Sequence, residues 1–201
     1  MAAYFDYGKM TDEGCIDMWL DMAYSWSIPN EEHDLRRNRA EAPMPFLVGP
    51  KSIVDIYSRS FGVPPSKMGI LLPWFGASYE CLPGLGGTAY GGCPTVKKVG
   101  GPGYSNIVVD YLPNATAPPY INGSLVTKVL NYKKDPKNTT GTVYQLWYDD
   151  PETLARKYSA IKGAGVAAVG MWTADNAGSN VLTAESMWEA VPPSAKHVTH
   201  N

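Results

Sequence analysis

Lys67-Met-Gly-Ile-Leu-Leu-Pro-Trp-Phe75 is a nearly unbroken apolar run, preceded by Pro64-Pro65 and closed by Gly76. A strand covered on both faces, as in a parallel sheet, reads this way. Just upstream, Lys51 to Phe61 puts Ile53, Ile56, Tyr57 and Phe61 on one helical face. Pro50 stands before it and Gly62 after it, the asymmetry expected of helix ends. Further upstream, Ile16 to Tyr24 is apolar except for Asp17 and Asp21 and reads as a second buried strand, although a helical turn suits the same length. Strand, helix, strand is a βαβ unit.

The pattern resumes near the end of the chain. Asp150-Pro151-Glu152 opens a helix with an N-cap, a proline at the first position and an acid in the first turn. Leu154, Tyr158 and Ile161 mark its buried face and Gly163 can end it. Val166 to Trp172 is a third apolar strand. A last helix is expected from Thr183, with Leu182 and Met187 placed as a hydrophobic staple, up to Val191 and the stop at Pro192-Pro193. Residues 77–149 form an insertion that is rich in turns; Asn106–Tyr111 and Thr142–Tyr148 are its β-like pieces, and a small β-rich subdomain is expected there. The fold class is α/β. Three parallel strands fall short of the eight of a (β/α)8 barrel, so the chain reads as part of one.

Composition narrows the function. The chain has 201 residues and a formal net charge of −2, which gives no basic excess for nucleic acid. No apolar run is long enough to span a membrane, and the first residues lack the charged and apolar regions of a signal peptide. His33, His197 and His200 are scattered and no Cys-x-x-Cys occurs, so neither a metal site nor a cofactor is expected. Cys81 and Cys93 bracket a glycine-rich loop that a disulfide can close, with two reduced thiols as the alternative; Cys15 is expected to be a buried free thiol. Asn114, Asn122 and Asn138 begin Asn-x-Ser/Thr sequons, which suit a secreted glycoprotein or arise by coincidence in a polar loop.

In an α/β barrel, function lies at the C-terminal ends of the strands. Here these ends are Met22-Ala-Tyr24, Pro73-Trp-Phe-Gly76 and Gly170-Met-Trp172. Aromatic rings at such a mouth either seal the core or offer a flat apolar face to a sugar ring. These residues also carry a resemblance. The three strand ends, together with Asn131-Tyr-Lys133, Gln145-Leu-Trp-Tyr-Asp149, Tyr79-Glu-Cys81-Leu82 and Met187-Trp-Glu189, resemble the closing part of glycoside hydrolase family 18, over residues 4 to 191.

The resemblance implies the C-terminal portion of the barrel, about strands six to eight, with the insertion between the last two. It implies cleavage of β-1,4-linked N-acetylglucosamine oligosaccharides by a substrate-assisted route, outside the usual two-carboxylate scheme. In that route the acetamide oxygen attacks the anomeric carbon and a Glu protonates the leaving oxygen. Tyr24 and Trp172, and more weakly Trp74, are implied as sugar contacts, and a lysosomal or extracellular location as the setting. The family's acid belongs to an Asp-x-x-Asp-x-Asp-x-Glu strand, and none of the 19 carboxylates here forms that motif. General acid catalysis contributes about 10²–10⁴-fold, so this chain alone is expected to be near inert. Ser25 replaces the usual Asp after Met-x-Tyr and Phe75 the usual Tyr. The paired Asp17 and Asp21 lie upstream of the strand end, and Glu31 and Glu32 lie in a polar loop. Three readings follow: part of a glycosidase that needs an N-terminal barrel half, an inactive lectin-like module for N-acetylglucosamine, or a non-functional truncated gene product.

Overall fold

The computed structural model describes residues 5–24, 52–81, 95–122, 126–138 and 140–193. Expectations that fall on Ser25, Glu31, Glu32, His33, Cys93, His197 and His200 lie outside the described residues. β1 (Trp19–Met22), β2 (Met68–Pro73) and β8 (Ala168–Trp172) make a three-stranded parallel sheet in the order β1-β2-β8. Its register pairs Trp19 with Met68 and Leu20 with Gly69 on one side of β2, and Gly69 with Ala168 and Pro73 with Trp172 on the other. Among the described residues the architecture is a partial, mixed α/β domain with no closed barrel.

Helices cover one face of this sheet. α2 (Ile53–Phe61) is capped by Ser52, whose side chain accepts from the Asp55 N–H, and ends on Gly62 at φ 71°, a left-handed position that suits glycine. α4 (Pro151–Gly163) starts with a capping box in which Asp150 and Thr153 each bond the other's backbone N–H. α4 buries Leu154, Tyr158 and Ile161 in the core that also holds Met68, Ile70, Leu72 and Trp74 of the β2 run. α5 (Val181–Glu189) adds Met187 to that core. α1 (Tyr7–Asp12), for which the sequence raised no expectation, sets Tyr7 against Trp19, Tyr57 and Phe61.

Between β2 and β8 the chain builds a five-stranded antiparallel sheet in the order β4-β3-β7-β6-β5. Its strands are β3 (Ala77–Cys81), β4 (Thr95–Gly100), β5 (Tyr120–Asn122), β6 (Thr127–Tyr132) and β7 (Tyr144–Tyr148). Leu130, Tyr132, Leu146 and Tyr148 on one face join the main core. Ala77, Tyr79, Val129 and Trp147 on the other form a second cluster. A buried ion pair ties this sheet to α4. Lys157 Nζ lies 2.6 Å from Asp149 and 3.0 Å from the Thr127 hydroxyl, with neither charged side chain exposed. Burial pushes the Asp149 carboxyl up and the Lys157 ammonium down, and their mutual attraction opposes both shifts.

Four expectations are corrected. Asn106–Tyr111 is helical, within a stretch that starts as α3 (Tyr104–Asn106) and continues in helical turns to Asn114. Tyr104 and Ile107, three apart, are buried while Val109 is exposed, so helical spacing wins over the β-branched pair. α5 begins at Val181 under an Asn180 cap that accepts from the N–H groups of Leu182 and Thr183. Leu182 is therefore inside the helix and exposed, and forms no staple with Met187. Cys15 is free but exposed, just past a turn through Gly14 at φ 71° that carries the chain off α1. Finally, β1 is not covered on both faces: Trp19 and Asp21 are half-buried while Leu20 and Met22 are exposed.

Replacing Lys157 with Met strands a buried carboxylate and is expected to destabilise the protein by about 3–5 kcal/mol in urea unfolding. A second change, Asp149→Leu, is expected to recover most of that loss. Asp21 gives a test of pH dependence. Burial against Tyr57, whose hydroxyl bonds it, holds its carboxyl above the ordinary carboxylate value. A raised folded-state value means stability that is present at low pH and lost as pH rises through that value. Asp21→Asn is expected to match the wild type below pH of about 4 and to exceed it near pH 7.

Candidate functional site

Strand parity places the aromatic residues. Along β2, Met68, Ile70, Leu72 and Trp74 alternate onto the helix-covered face. Gly69, Leu71 and Pro73 take the other face, and Trp172, in register with Pro73, shares it. Trp172 is accordingly half exposed, and its carbonyl accepts from the Trp74 N–H at 2.9 Å. Trp74 is fully buried, with its ring edge-on to Trp188 at 5.2 Å. Trp74 is thus buried in the core, on the side of the sheet opposite Trp172.

Tyr24 and Phe75 meet at the ends of β1 and β2, with ring centroids 5.5 Å apart and planes at 81°. Tyr24 is half-buried, and desolvation holds its phenol above the ordinary value, so it is a neutral hydrogen-bond donor at any physiological pH. The structure therefore brings Tyr24 and Phe75 together and places Trp172, in register with Pro73, at the C-terminal end of the same parallel sheet. The sequence treated Phe75 only as a lost hydroxyl; in the structure it lies just past the end of β2 and packs its ring edge-on against Tyr24.

Polar groups follow directly after β8. Asn176 Nδ2 donates to the Thr173 hydroxyl at 3.1 Å, and that hydroxyl donates to the Asp175 carboxylate. Gly103 is needed here, because a Cβ on it would lie 2.5 Å from Asn176 Oδ1. The bond across Trp172–Thr173 is cis. A second polar network, within the segments Asn131–Lys133 and Gln145–Asp149 that carry the resemblance, runs across β6 and β7. Gln145 Nε2 donates to Asn131 Oδ1 at 3.0 Å, and Trp147 Nε1 donates to Gln145 Oε1 at 2.9 Å, all buried. These side chains satisfy one another and serve the sheet. Among the described residues no cluster of three His, Cys, Asp or Glu lies together.

Of the remaining expected sites, Asn138 is exposed in a turn, and its Oδ1 accepts from both the N–H and the hydroxyl of Thr140. Asn114 is half-buried and spends its amide on the Asp110 carbonyl. Asn122 is half-buried in β5. Cys81 is engaged in a disulfide.

No family model matches the chain. Di-N-acetylchitobiase of Rattus norvegicus is 28% identical over 145 residues, which cover 66% of this chain and 38% of that protein. The Homo sapiens protein of the same name is 29% identical over 144 residues, 64% of this chain and 36% of that one. The chain thus spans well under half the length of the curated relatives it matches. Among solved structures, the chitinase-like agglutinin of Robinia pseudoacacia superposes with a TM-score of 0.63 at 19% identity, over 94% of this chain and 51% of that one. The family-18 chitinase of Cycas revoluta in complex with (GlcNAc)3 gives 0.60 at 18%, over 87% and 46%. The chain is therefore similar in sequence to the C-terminal part of di-N-acetylchitobiase, and it has the fold of about half of a family-18 chitinase.

Proposed function

We propose that this chain supplies the N-acetylglucosamine-binding part of a chitobiase-like glycoside hydrolase acting on β-1,4-linked N-acetylglucosamine oligosaccharides. The observation that carries the reading is Trp172, half exposed at the end of β8 on the uncovered face of the parallel sheet. Its indole is free to stack on a sugar ring, and the Tyr24 hydroxyl at the neighbouring strand ends can donate to an acetamide oxygen. The relatives named above are chitobiases, and the Cycas structure holds an N-acetylglucosamine oligomer.

In the full reaction the substrate's acetamide oxygen attacks the anomeric carbon while a carboxylic acid protonates the departing oxygen. Tyr24 would hold the acetamide and Trp172 the ring. The acid would come from strands of an N-terminal barrel half that this sequence does not contain, so the chain alone binds without cutting. A lectin-like role is the second reading. The missing acid motif favours it, as does the likeness to a chitinase-like agglutinin. A lysosomal or extracellular setting fits both, with the Cys81 disulfide closed by Cys93 and a glycan at the exposed Asn138. No described helix is long and apolar enough to cross a membrane.

Titration with N,N′,N″-triacetylchitotriose is expected to quench tryptophan fluorescence, and Trp172→Ala to abolish the change while costing less than about 1 kcal/mol of stability, as for an exposed side chain. Trp74→Ala is expected to cost about 3–5 kcal/mol because it empties a buried site. Release of N-acetylglucosamine from chitobiose by the purified chain would overturn the claim that it cannot cut. An unchanged spectrum at millimolar sugar would overturn the binding site.

A further inference from the structure

Past Pro73 the β2 line changes partner. Trp74 still donates its N–H to the Trp172 carbonyl at 2.9 Å, but its own carbonyl accepts from the Tyr104 N–H at 3.0 Å. Gly76 then donates to the Pro102 carbonyl at 2.8 Å, and Phe75 and Gly103 face each other as an antiparallel bridge. Pro102 to Tyr104, from the insertion, thus takes the place beside β2 that a continued β8 would occupy. β8 stops at Trp172 and the chain enters a single tight helical turn, Ala174–Ala177, in which the Asn176 N–H returns to the Thr173 carbonyl at 3.0 Å. The two segments meet through a glycine on each side. A Cβ on Gly103 would lie 2.5 Å from Asn176 Oδ1, and one on Gly178 would lie 2.6 Å from the Ser105 Cβ. Gly103 has φ −63°, which any residue adopts, so glycine serves there for space and not for backbone freedom.

We propose that Gly103 and Asn176 are positioning residues for sugar binding: seated in the space that Gly103 leaves, Asn176 fixes the turn after β8 and through it the direction of the Trp172 indole. The inference rests on the reading of Trp172 as the sugar platform and adds the insertion as the part that aims it. The path is short. Asn176 Nδ2 donates to the Thr173 hydroxyl at 3.1 Å, that hydroxyl donates to the Asp175 carboxylate, and Thr173 follows Trp172 directly. Ala177, buried in the main core, pins the far end of the turn. The indole needs such support. It is half exposed on the face that no helix covers, so its direction is inherited from its own backbone more than from neighbours. A ring already held at the tilt that a sugar requires binds more tightly, because less freedom is lost on binding. Asn176 itself is half-buried against the insertion, so its effect on the sugar passes through Trp172.

The test uses the full chain labelled with 5-fluorotryptophan, in which the Trp172 fluorine resonance is identified by its loss in Trp172→Phe. Asn176→Ala and Thr173→Val are each expected to weaken binding of N,N′,N″-triacetylchitotriose by about fivefold or more. Each is also expected to shift or broaden the Trp172 resonance before any sugar is added, with the Trp74 and Trp188 resonances unmoved. Gly103→Ala is expected to lower both the affinity and the melting temperature. Combining Gly103→Ala with Asn176→Ala is expected to recover most of the melting temperature, because the 2.5 Å contact is with the Asn176 amide oxygen, and none of the affinity. A merely structural role would not produce that split. The proposal is overturned if Asn176→Ala leaves both the affinity and the Trp172 resonance as in the wild type, or if the double change restores affinity along with stability. A wild type that binds no sugar, while Asn176→Ala still moves the Trp172 resonance, would overturn the functional reading and leave the positioning role standing. Saturable wild-type binding with unchanged affinity in both single variants would do the reverse.

Discussion

The constraint on which this structure depends is the double pairing of β2. It is the central strand of a parallel sheet and takes hydrogen bonds from β1 on one side and β8 on the other. A parallel pair needs a crossover, so each pairing forces the intervening chain over the sheet. One crossover, residues 23–67, carries α2. The other is long and carries the whole antiparallel sheet before α4 returns the chain to β8. The alternation of β2 then divides the molecule, with Met68, Ile70, Leu72 and Trp74 facing the helices and Gly69, Leu71 and Pro73 facing the open side.

The helix side is where the stability resides. The inserted sheet does not stand apart from it, since Leu130, Leu146 and Tyr148 share a core with Leu154 and Tyr158. The Lys157–Asp149 pair with Thr127 adds a directional link that apolar packing lacks. A buried pair of this kind contributes little net energy against an apolar alternative, but it strongly penalises any arrangement that separates the partners. It therefore holds α4 in one position against β6 and β7, and with it the line of the chain into β8. The other face carries the exposed Leu20, Met22 and Trp172, and Tyr24 meets Phe75 at the neighbouring strand ends.

Much of the fold was legible because it rests on local signals. The unbroken run 67–75 announced a buried strand, and Asp150-Pro151 announced a helix start that the capping box reproduces. Where the reading failed, a tertiary contact or a different local cap had outweighed the expected preference. The β-branched pair Val108-Val109 suggested a strand, but Ile107 and Tyr104 reach the core only from a helix. Asn180, and not the expected Leu182–Met187 staple, starts α5, since its carboxamide captures two free N–H groups. Of the site, the aromatic residues at the strand ends were visible in the sequence. Their division between core and rim was not.

The sequence by itself determined which segments become the three parallel strands and the helices α2 and α4, that aromatic residues stand at the ends of those strands, and that no Asp-x-x-Asp-x-Asp-x-Glu acid motif lies within this chain. Only the tertiary structure decided which tryptophan is available. Trp74 and Trp172 stand in similar local sequences, each at the end of an apolar strand. Side-chain direction depends on parity, and the relative parity of two strands depends on their register. Pairing Pro73 with Trp172 sends Trp74 to the helices and Trp172 to the open face. The register of non-adjacent strands is a long-range property, set by how the whole chain packs, and no local window of residues contains it.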